Sequence, residues 1–191
     1  LPVIQDAALV FDLDGRFEDR SLDLDALRTV DFIVVPFLET PTLAHLEISF
    51  GFDGGDYLGV SVEIRKEKGE QYAPLKGTLR QFELMYVLCD ERDMIRVSTE
   101  HSWRGVYLYR ARMTPPQVRA MFVDVMRRVN DLRERPEFYN TFTNNCTTNI
   151  VAHLNRSGVA RVPYDYRVLF PGYFDRLIYD LGLLDTDRSF E

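Results

Sequence analysis

Hydrophobic and polar residues alternate with a period of two along two neighbouring segments of the chain. In residues 43–52 (LAHLEISFGF) the apolar side chains occupy the even positions, and the same holds for residues 57–65 (YLGVSVEIR). Such alternation predicts two strands that each have one apolar and one polar face. The sequence DGGD at 53–56 predicts the tight turn that joins them into a β-hairpin.

The register of this hairpin determines which polar side chains meet. If Phe50 pairs with Leu58, His45 lies opposite Glu63 on the polar face, where opposed Cβ atoms are about 5 Å apart. Such a face is either exposed to solvent, as in many antiparallel sheets, or one wall of a site. It carries six residues close together: His45, Glu47, Ser49, Ser61, Glu63 and Arg65.

Two later segments have the pattern of capped helices. The sequence TPPQ at 114–117 is a capping box with proline in the first turn, and an apolar stripe at helical spacing follows it as far as Pro136. A second helix is predicted to begin near Cys146, with Asn144 or Asn145 as its N-cap. The remaining expectations are a strand and a short helix in 1–29, strands at 30–38 and 105–110, either type of element in 79–97, a loop up to Phe170 and a short helix near 173–182.

These elements predict a single α+β domain over residues 1–191. We expect an antiparallel sheet of about five strands, with the Cys146 helix packed against the polar face of the sheet. The chain has 191 residues, of which 46% are hydrophobic and 28% charged, and this composition suits one globular domain with a substantial core.

Charge and hydropathy argue against a nucleic-acid partner and against a membrane-spanning segment within this chain. A net charge of −7 without a basic stripe argues against nucleic-acid binding, which requires clustered Lys and Arg. No apolar run approaches the roughly 18 residues that span a bilayer. Because the chain begins at Leu1 rather than Met, we expect it to be processed or excised, so that any signal or membrane anchor lies outside it.

Cys146 is the strongest candidate for chemistry. The N-terminus of a helix offers free backbone N–H groups and the positive end of the helix dipole, which favour the nucleophilic thiolate and can hold an oxyanion beside it. A cysteine nucleophile also requires an imidazole and a group that orients the imidazole. The polar face of the hairpin supplies His45 as acid and base and Glu63 as the orienting group.

Other interpretations of the same residues stay open from the sequence alone. A free cysteine is commonly a small buried hydrophobic residue, and a disulfide between Cys89 and Cys146 would block the nucleophile. The two cysteines and three histidines lack the spacings of zinc motifs, and no glycine-rich phosphate loop is present. The residues therefore imply neither a metal nor an organic cofactor.

Four segments together resemble a known family. They are AHLEISFGF at 44–52, SVEIR at 61–65, DERD at 90–93 and FYNTFTNNCTT at 138–148. In this order they resemble the N-terminal periplasmic domain of the Lnb-type bacterial lipoprotein N-acyltransferases, over roughly residues 30–155. The resemblance implies a circularly permuted papain-like fold, related to the NlpC-like peptidases, in which the histidine strand precedes the cysteine helix.

The resemblance also implies roles for individual residues. Cys146 matches the nucleophile and His45 the base, while the third member is Glu63 from the register argument or Ser61 on the same strand. Three residues match the motif around the nucleophile and are expected to shape the oxyanion site: Tyr139, Asn140 and Asn145. The chain departs from the family pattern at Glu47, where a smaller or apolar residue is expected, and this extra carboxylate is expected to alter the pKa of His45.

The function implied by the resemblance is thiol-dependent acyl transfer. An acyl chain passes from a lipid to a cysteine thioester and then to the N-terminal amine of a lipoprotein, at the periplasmic or extracytoplasmic face of a bacterial membrane. The partners are then lipid and lipoprotein substrates, with no nucleic acid. Two alternatives are a cysteine peptidase or amidase that acts on cell-wall peptides, and a non-catalytic envelope domain that retains the fold for binding.

Overall fold

The computed structural model describes residues 10–11, 19–66, 77–101 and 105–190. Six strands form one sheet in the order β1-β5-β4-β3-β2-β6. The strands are β1 (Val10–Phe11), β2 (Leu27–Pro36), β3 (Ala44–Phe52), β4 (Tyr57–Arg65), β5 (Glu83–Asp90) and β6 (Tyr107–Arg110). β2 to β6 form the five-stranded antiparallel sheet that the sequence predicts, and the two-residue β1 adds a parallel partner to β5.

Five α-helices and one 3-10 helix lie wholly within the described residues. They are α1 (Glu91–His101), α2 (Pro115–Glu134), α3 (Cys146–Arg156), α4 (Tyr166–Leu169), the 3-10 helix Pro171–Tyr173 and α5 (Phe174–Asp180). The two predicted caps are present. Gln117 accepts a 2.9 Å hydrogen bond from the Thr114 N–H before α2, and Asn145 accepts one of 2.8 Å from the Thr148 N–H at the start of α3.

Three expectations about elements need correction or definition. The ambiguous segment 79–97 contains both types of element, because β5 ends at Asp90 and α1 begins at the next residue. The segment expected to be a loop up to Phe170 contains the single turn α4. The short helix expected in the first 29 residues is absent from 19–29, and the rest of that expectation, apart from the strand β1, lies outside the described residues.

The apolar face of the hairpin lies in the main core. Even-numbered side chains of β3 and β4 pack against α2, as in the edge-to-face contact of Phe50 with Phe122, whose ring centres are 5.1 Å apart. Ile150 and Leu154 of α3 belong to the same core. Tyr86, which lies opposite Val62 on this face, hydrogen-bonds side chains of α3. The expectation that the cysteine helix packs on the polar face is therefore wrong, because its apolar stripe requires the apolar face of the sheet.

The polar face of the hairpin is covered by α1. Met94 packs beside Cys89 and Ile33 on this side, and Ser98 contacts the carboxylate of Glu47. Glu47, Ser49 and Ser61 are consequently buried instead of exposed to solvent. The sheet thus separates two layers, and these polar residues lie in the smaller layer.

β3 and β4 part at one end of the sheet. Phe50 pairs with Leu58, as the sequence predicts, and the ladder between the two strands ends at the pair Glu47–Ser61. Beyond that pair β3 continues to Ala44 alongside β2, while β4 continues alongside β5. The side chains of His45 and Glu63 therefore stand at an opening in the sheet, and through it the start of α3 reaches His45.

Candidate active site

The loop before α3 presents Cys146 at the first position of the helix. Asn140 organises this loop, since its side-chain oxygen accepts 3.0 Å hydrogen bonds from the N–H groups of Phe142 and Thr143. Asn145 then caps the helix. The backbone N–H groups of Cys146 and Thr147 belong to the first turn, where a helix offers no internal acceptors, so they point a positive dipole at the sulfur.

The pKa of the Cys146 thiol is lowered although the thiol is buried. Burial acts most strongly and raises the pKa, but the positive charge of His45 and a hydrogen bond with its ring outweigh burial. Hydrogen bonds from the Leu46 backbone N–H and the Thr147 hydroxyl lower the pKa further. These interactions favour the thiolate of Cys146 more than in an ordinary cysteine, and the thiolate is the form that acts as a nucleophile.

His45 stands between the sulfur and a pair of oxygen atoms. Its Nε2 atom lies 2.7 Å from the Ser61 hydroxyl and 2.9 Å from a carboxylate oxygen of Glu63. Because Nε2 is occupied in this way, Nδ1 is the nitrogen left for the sulfur. Burial acts to lower the pKa of His45, yet the negative charges of Glu63 and Cys146 hold it well above its ordinary value. The raised pKa of His45 and the lowered pKa of Cys146 both favour an imidazolium beside a thiolate.

Glu63 is a firmly ionised carboxylate. Burial raises its pKa, but the charge of His45, hydrogen bonds from His45 and Ser61, and the charge of Lys66 bring the pKa down to about 2. The Ser61 hydroxyl donates to Glu63 at 2.7 Å while it also contacts His45. Both residues proposed as third member thus lie at the imidazole, and Glu63 is the one that carries charge.

Glu47 brings a second carboxylate to the same imidazole. One of its oxygen atoms lies 3.7 Å from His45 Nε2, and the residue is 4% exposed. Burial raises the pKa of Glu47 most strongly, attraction to His45 lowers it and repulsion from Glu63 raises it, so that the pKa lies at about 7. The hydroxyl of Ser98 contacts it at 3.4 and 3.5 Å. Glu47 stands out from the sequence but Ser98 does not, because nothing in the polar sequence of α1 indicates that this helix covers the polar face of the hairpin.

The residues expected to shape an oxyanion site hold the loop together, and their part in an oxyanion site stays a prediction. The amide of Asn145 accepts from Thr148 N–H and donates to the Thr141 carbonyl at 2.6 Å. The amide of Asn140 donates to the Thr78 carbonyl at 3.1 Å in addition to its contacts within the turn. Tyr139 packs against the core, with its N–H bonded to Phe82. Backbone N–H groups at the start of α3 are available as oxyanion donors, as the position of Cys146 in the sequence also predicts.

The other cysteine and the buried histidine have different surroundings. Cys89 is a free thiol on the α1 side of the sheet, and burial raises its pKa to about 12. Because Cys146 is also free and belongs to the opposite layer, the two do not form a disulfide. His153 hydrogen-bonds Asp124 at 2.6 Å and Tyr86 at 2.8 Å, a buried network that joins α2, α3 and β5.

A polar cavity of about 500 Å³ lies between α2 and α3. Its arginines include Arg128 and Arg156, which are paired with Glu137 at 2.6 Å and Asp124 at 3.0 Å. Neither Cys146 nor His45 lines this cavity. It therefore does not form a carboxylate-binding cleft at the thiol.

Several exposed apolar side chains lie in the loops that precede His45 and Cys146 and in the C-terminal segments that contact these loops. The loop between β2 and β3 contacts the 3-10 helix through the hydrogen bond from Gly172 N–H to the Thr42 carbonyl. The Tyr164 hydroxyl donates to the Phe142 carbonyl at 2.6 Å, four residues before Cys146. We call this set the apolar rim: Phe37, Leu38, Phe142, Tyr164, Tyr166, Phe170 and Tyr173.

The domain and its site define a class: an α+β protein in which a buried thiol interacts with an imidazole that also contacts a carboxylate. The family model of the Lnb N-terminal periplasmic domain matches residues 14–172, and the chain belongs to this family. The predicted family and extracytoplasmic location are thereby confirmed. No curated protein and no solved structure matches the chain significantly. Across the described ranges, no helix is both long enough and apolar enough to cross a bilayer.

Proposed function

We propose that this domain catalyses thiol-dependent acyl transfer from a membrane lipid to the N-terminal amine of a lipoprotein. The observation that carries the proposal is the continuous arrangement of Cys146, His45 and Glu63, with the carboxylate 2.9 Å from His45 Nε2. The family supports the choice of lipid and lipoprotein as substrates. The order of the histidine strand before the cysteine helix supports a permuted papain-like fold.

In the first half-reaction the Cys146 thiolate attacks the carbonyl carbon of an acyl ester. The negative charge that forms on the carbonyl oxygen is held by backbone N–H groups of the first turn of α3. As the intermediate collapses, the carbon–oxygen ester bond breaks and the His45 imidazolium gives its proton to the leaving alkoxide. The products are a free alcohol, a neutral imidazole and a thioester on Cys146.

In the second half-reaction an amine replaces the sulfur. The amine attacks the thioester carbonyl, neutral His45 accepts a proton from the attacking nitrogen, and the carbon–sulfur bond breaks to release the thiolate. An amide and the original thiolate–imidazolium pair result. Glu63 keeps the ring oriented and stabilises its positive charge in both steps. The two steps balance with protein side chains alone.

The apolar rim supports a lipid as acyl donor. Its exposed Phe, Tyr and Leu side chains lie in the loops that precede His45 and Cys146 and in the C-terminal segments that contact these loops, and aromatic residues with a polar tip suit the interface between water and lipid. Cys146 and His45 shift each other's pKa, the thiol downward and the imidazole upward. A non-catalytic binding domain has no need of such a pair. Because the polar cavity does not include Cys146, no observation favours a peptide substrate.

The proposal is tested by trapping and transfer with the full-length protein. Vesicles that contain a phospholipid with a labelled acyl chain are mixed with protein and with a lipopeptide that has a free N-terminal amine. We expect label on Cys146, sensitive to neutral hydroxylamine as thioesters are, and then on the lipopeptide amine. Cys146→Ser should abolish both signals, and Cys89→Ser should retain them.

Different outcomes separate the alternatives. Release of labelled fatty acid without a labelled lipopeptide would make the protein a lipid hydrolase. Absence of label on Cys146 in the presence of excess donor would reject thiol catalysis. Label on the lipopeptide in the Cys146→Ser variant would assign the chemistry to another residue.

A further inference from the structure

Three acidic groups surround one imidazole in the candidate site. Cys146 and Glu63 both hold His45 in its charged form. Glu47 is buried, and its Oε1 atom lies 3.7 Å from Nε2 of the same ring. The reaction uses one thiolate, one imidazole and one carboxylate, and thus leaves Glu47 without a role. Burial disfavours the charged form of Glu47, and a cation bound at the three ligand atoms would offset that cost.

Two of the three spacings between the ligand atoms are close to those around a tetrahedral metal ion. One ligand atom each from His45, Glu47 and Glu63 lies within 4.8 Å of the others. Two of these separations, both measured from His45 Nε2, are 2.9 Å to Glu63 and 3.7 Å to Glu47. Zn²⁺ bound by nitrogen and oxygen at about 2.0–2.2 Å in a tetrahedron separates its ligand atoms by about 3.3 Å. Shifts of a few tenths of an ångström would therefore bring both of these separations to the spacing of zinc ligands.

We propose that His45, Glu47 and Glu63 form an inhibitory site for a divalent transition-metal ion, with Zn²⁺ as the representative ion. An imidazole with two carboxylates suits Zn²⁺ better than Mg²⁺ or Ca²⁺, which take oxygen ligands. Each carboxylate already has a hydroxyl partner that fixes its orientation, Ser61 at Glu63 and Ser98 at Glu47. Such outer partners are typical of metal sites.

Inhibition follows from the nitrogen that the metal occupies. A metal ion on Nε2 takes the place of the carboxylate that stabilises the imidazolium. The metal-bound ring keeps a proton on Nδ1, but transfer of that proton to a leaving alkoxide would leave a metal-bound imidazolate. Proton transfer in the first half-reaction is therefore blocked while the thiolate remains in place. This consequence rests on the proposed function, whereas the binding of the metal does not.

The binding is measured in a Cys146→Ser background, which removes the thiolate as a competing ligand. The full-length variant is titrated with Zn²⁺ against a chromogenic chelator, with and without Glu47→Gln. We expect Glu47→Gln to weaken binding at least about tenfold, because one of three protein ligands is lost. The matched control is Glu83→Gln, an exposed carboxylate on the neighbouring strand that pairs with Arg65, and it should leave the affinity unchanged.

The inhibition is measured in the acyl-transfer assay with intact Cys146. Zn²⁺ should inhibit the wild-type protein, and Glu47→Gln, measured relative to its own rate without metal, should require at least about tenfold more Zn²⁺ for half inhibition. Equal inhibition of the two proteins would locate the metal at the thiolate and overturn the proposal. Equal affinity in the two Cys146→Ser proteins, or no binding by either, would overturn it even if no acyl-transfer activity were found.

Discussion

Cys146 and His45 come from opposite faces of one sheet and meet through a gap between two of its strands. Even-numbered residues of β3 donate their N–H groups toward β4, as the bond from Phe52 N–H to Asp56 shows at the hairpin turn. The ladder ends before Leu46, whose N–H instead donates to the Cys146 sulfur. The thiolate therefore takes the place that a carbonyl of β4 would occupy in a continuous sheet, and the parting of the strands creates the site.

The first prediction concerns the two thiols. The His45 charge lowers the pKa of Cys146, whereas burial raises that of Cys89 to about 12. As pH falls below the ordinary thiol value of about 8.5, Cys146 should therefore remain ionised while ordinary thiols lose their charge. We expect iodoacetamide to alkylate Cys146 at pH 6 and to leave Cys89 unmodified in the folded protein. Peptide mapping by mass spectrometry across a pH series measures both.

The control for this experiment separates reactivity from exposure. Cys89→Ser should leave the alkylation profile unchanged, and Cys89 should react when the wild-type protein is unfolded in denaturant. A half-maximal rate for Cys146 near pH 8.5 would show that His45 does not activate it.

The second prediction distinguishes Glu63 from Ser61 as the partner of His45. Glu63 carries the charge that supports the imidazolium, while Ser61 contributes a neutral hydrogen bond. Glu63→Gln should lower kcat by about 10²-fold or more, which is the scale of losing supported acid–base catalysis. Ser61→Ala should cost about tenfold or less, since one such hydrogen bond contributes about 1 kcal/mol.

A second measurement shows whether Glu63 acts through the ring. Without its charge the pKa of His45 falls, so the pH at which Cys146 becomes alkylated should rise in Glu63→Gln and stay near the wild-type value in Ser61→Ala. A larger loss of kcat in Ser61→Ala than in Glu63→Gln would reverse the assignment.

Local pattern was sufficient to predict the hairpin, its register and both helix caps, because each depends on residues close in sequence. The polar face of β3 shows the limit of such reasoning. Periodicity places Glu47 and Ile48 on opposite faces of the sheet, but it does not indicate which helix covers each face. The apolar stripe of α3, with Ile150 and Leu154, selects the apolar face, and the polar helix α1 is left to cover the carboxylates.

The meeting of Cys146 with His45 could be predicted from the family motifs, but the way in which they meet could not. The end of the ladder at Glu47–Ser61 depends on the arrival of the α3 N-terminus, which is a contact between residues about 100 positions apart. The N-cap role of Asn145 is confirmed, whereas its expected part in the oxyanion site stays a prediction. A motif names the residue, while its hydrogen bonds require the fold.

The third prediction tests Asn145 as a cap. Asn145→Ala should lower the free energy of unfolding by about 1 kcal/mol, the usual cost of losing an N-cap, and should reduce activity because Cys146 begins the helix. Asn145→Ser should restore most of both, since serine caps helices about as well. Urea unfolding and the acyl-transfer assay measure the two effects. Restored stability with activity still at the Asn145→Ala level would give the amide a direct role in the reaction.

The fourth prediction concerns the apolar rim and the physical state of the acyl donor. Phe37 is 45% exposed in the loop that precedes His45. If the rim contacts the lipid surface, Phe37→Ser should raise KM for a donor in vesicles about fivefold, which corresponds to a loss of about 1 kcal/mol, and should leave KM for a soluble short-chain ester unchanged. Leu108→Ser is the matched control, because Leu108 is 46% exposed on the edge strand β6. Equal effects of the two variants, or an equal rise of KM for both donors, would contradict a role of the rim at the membrane.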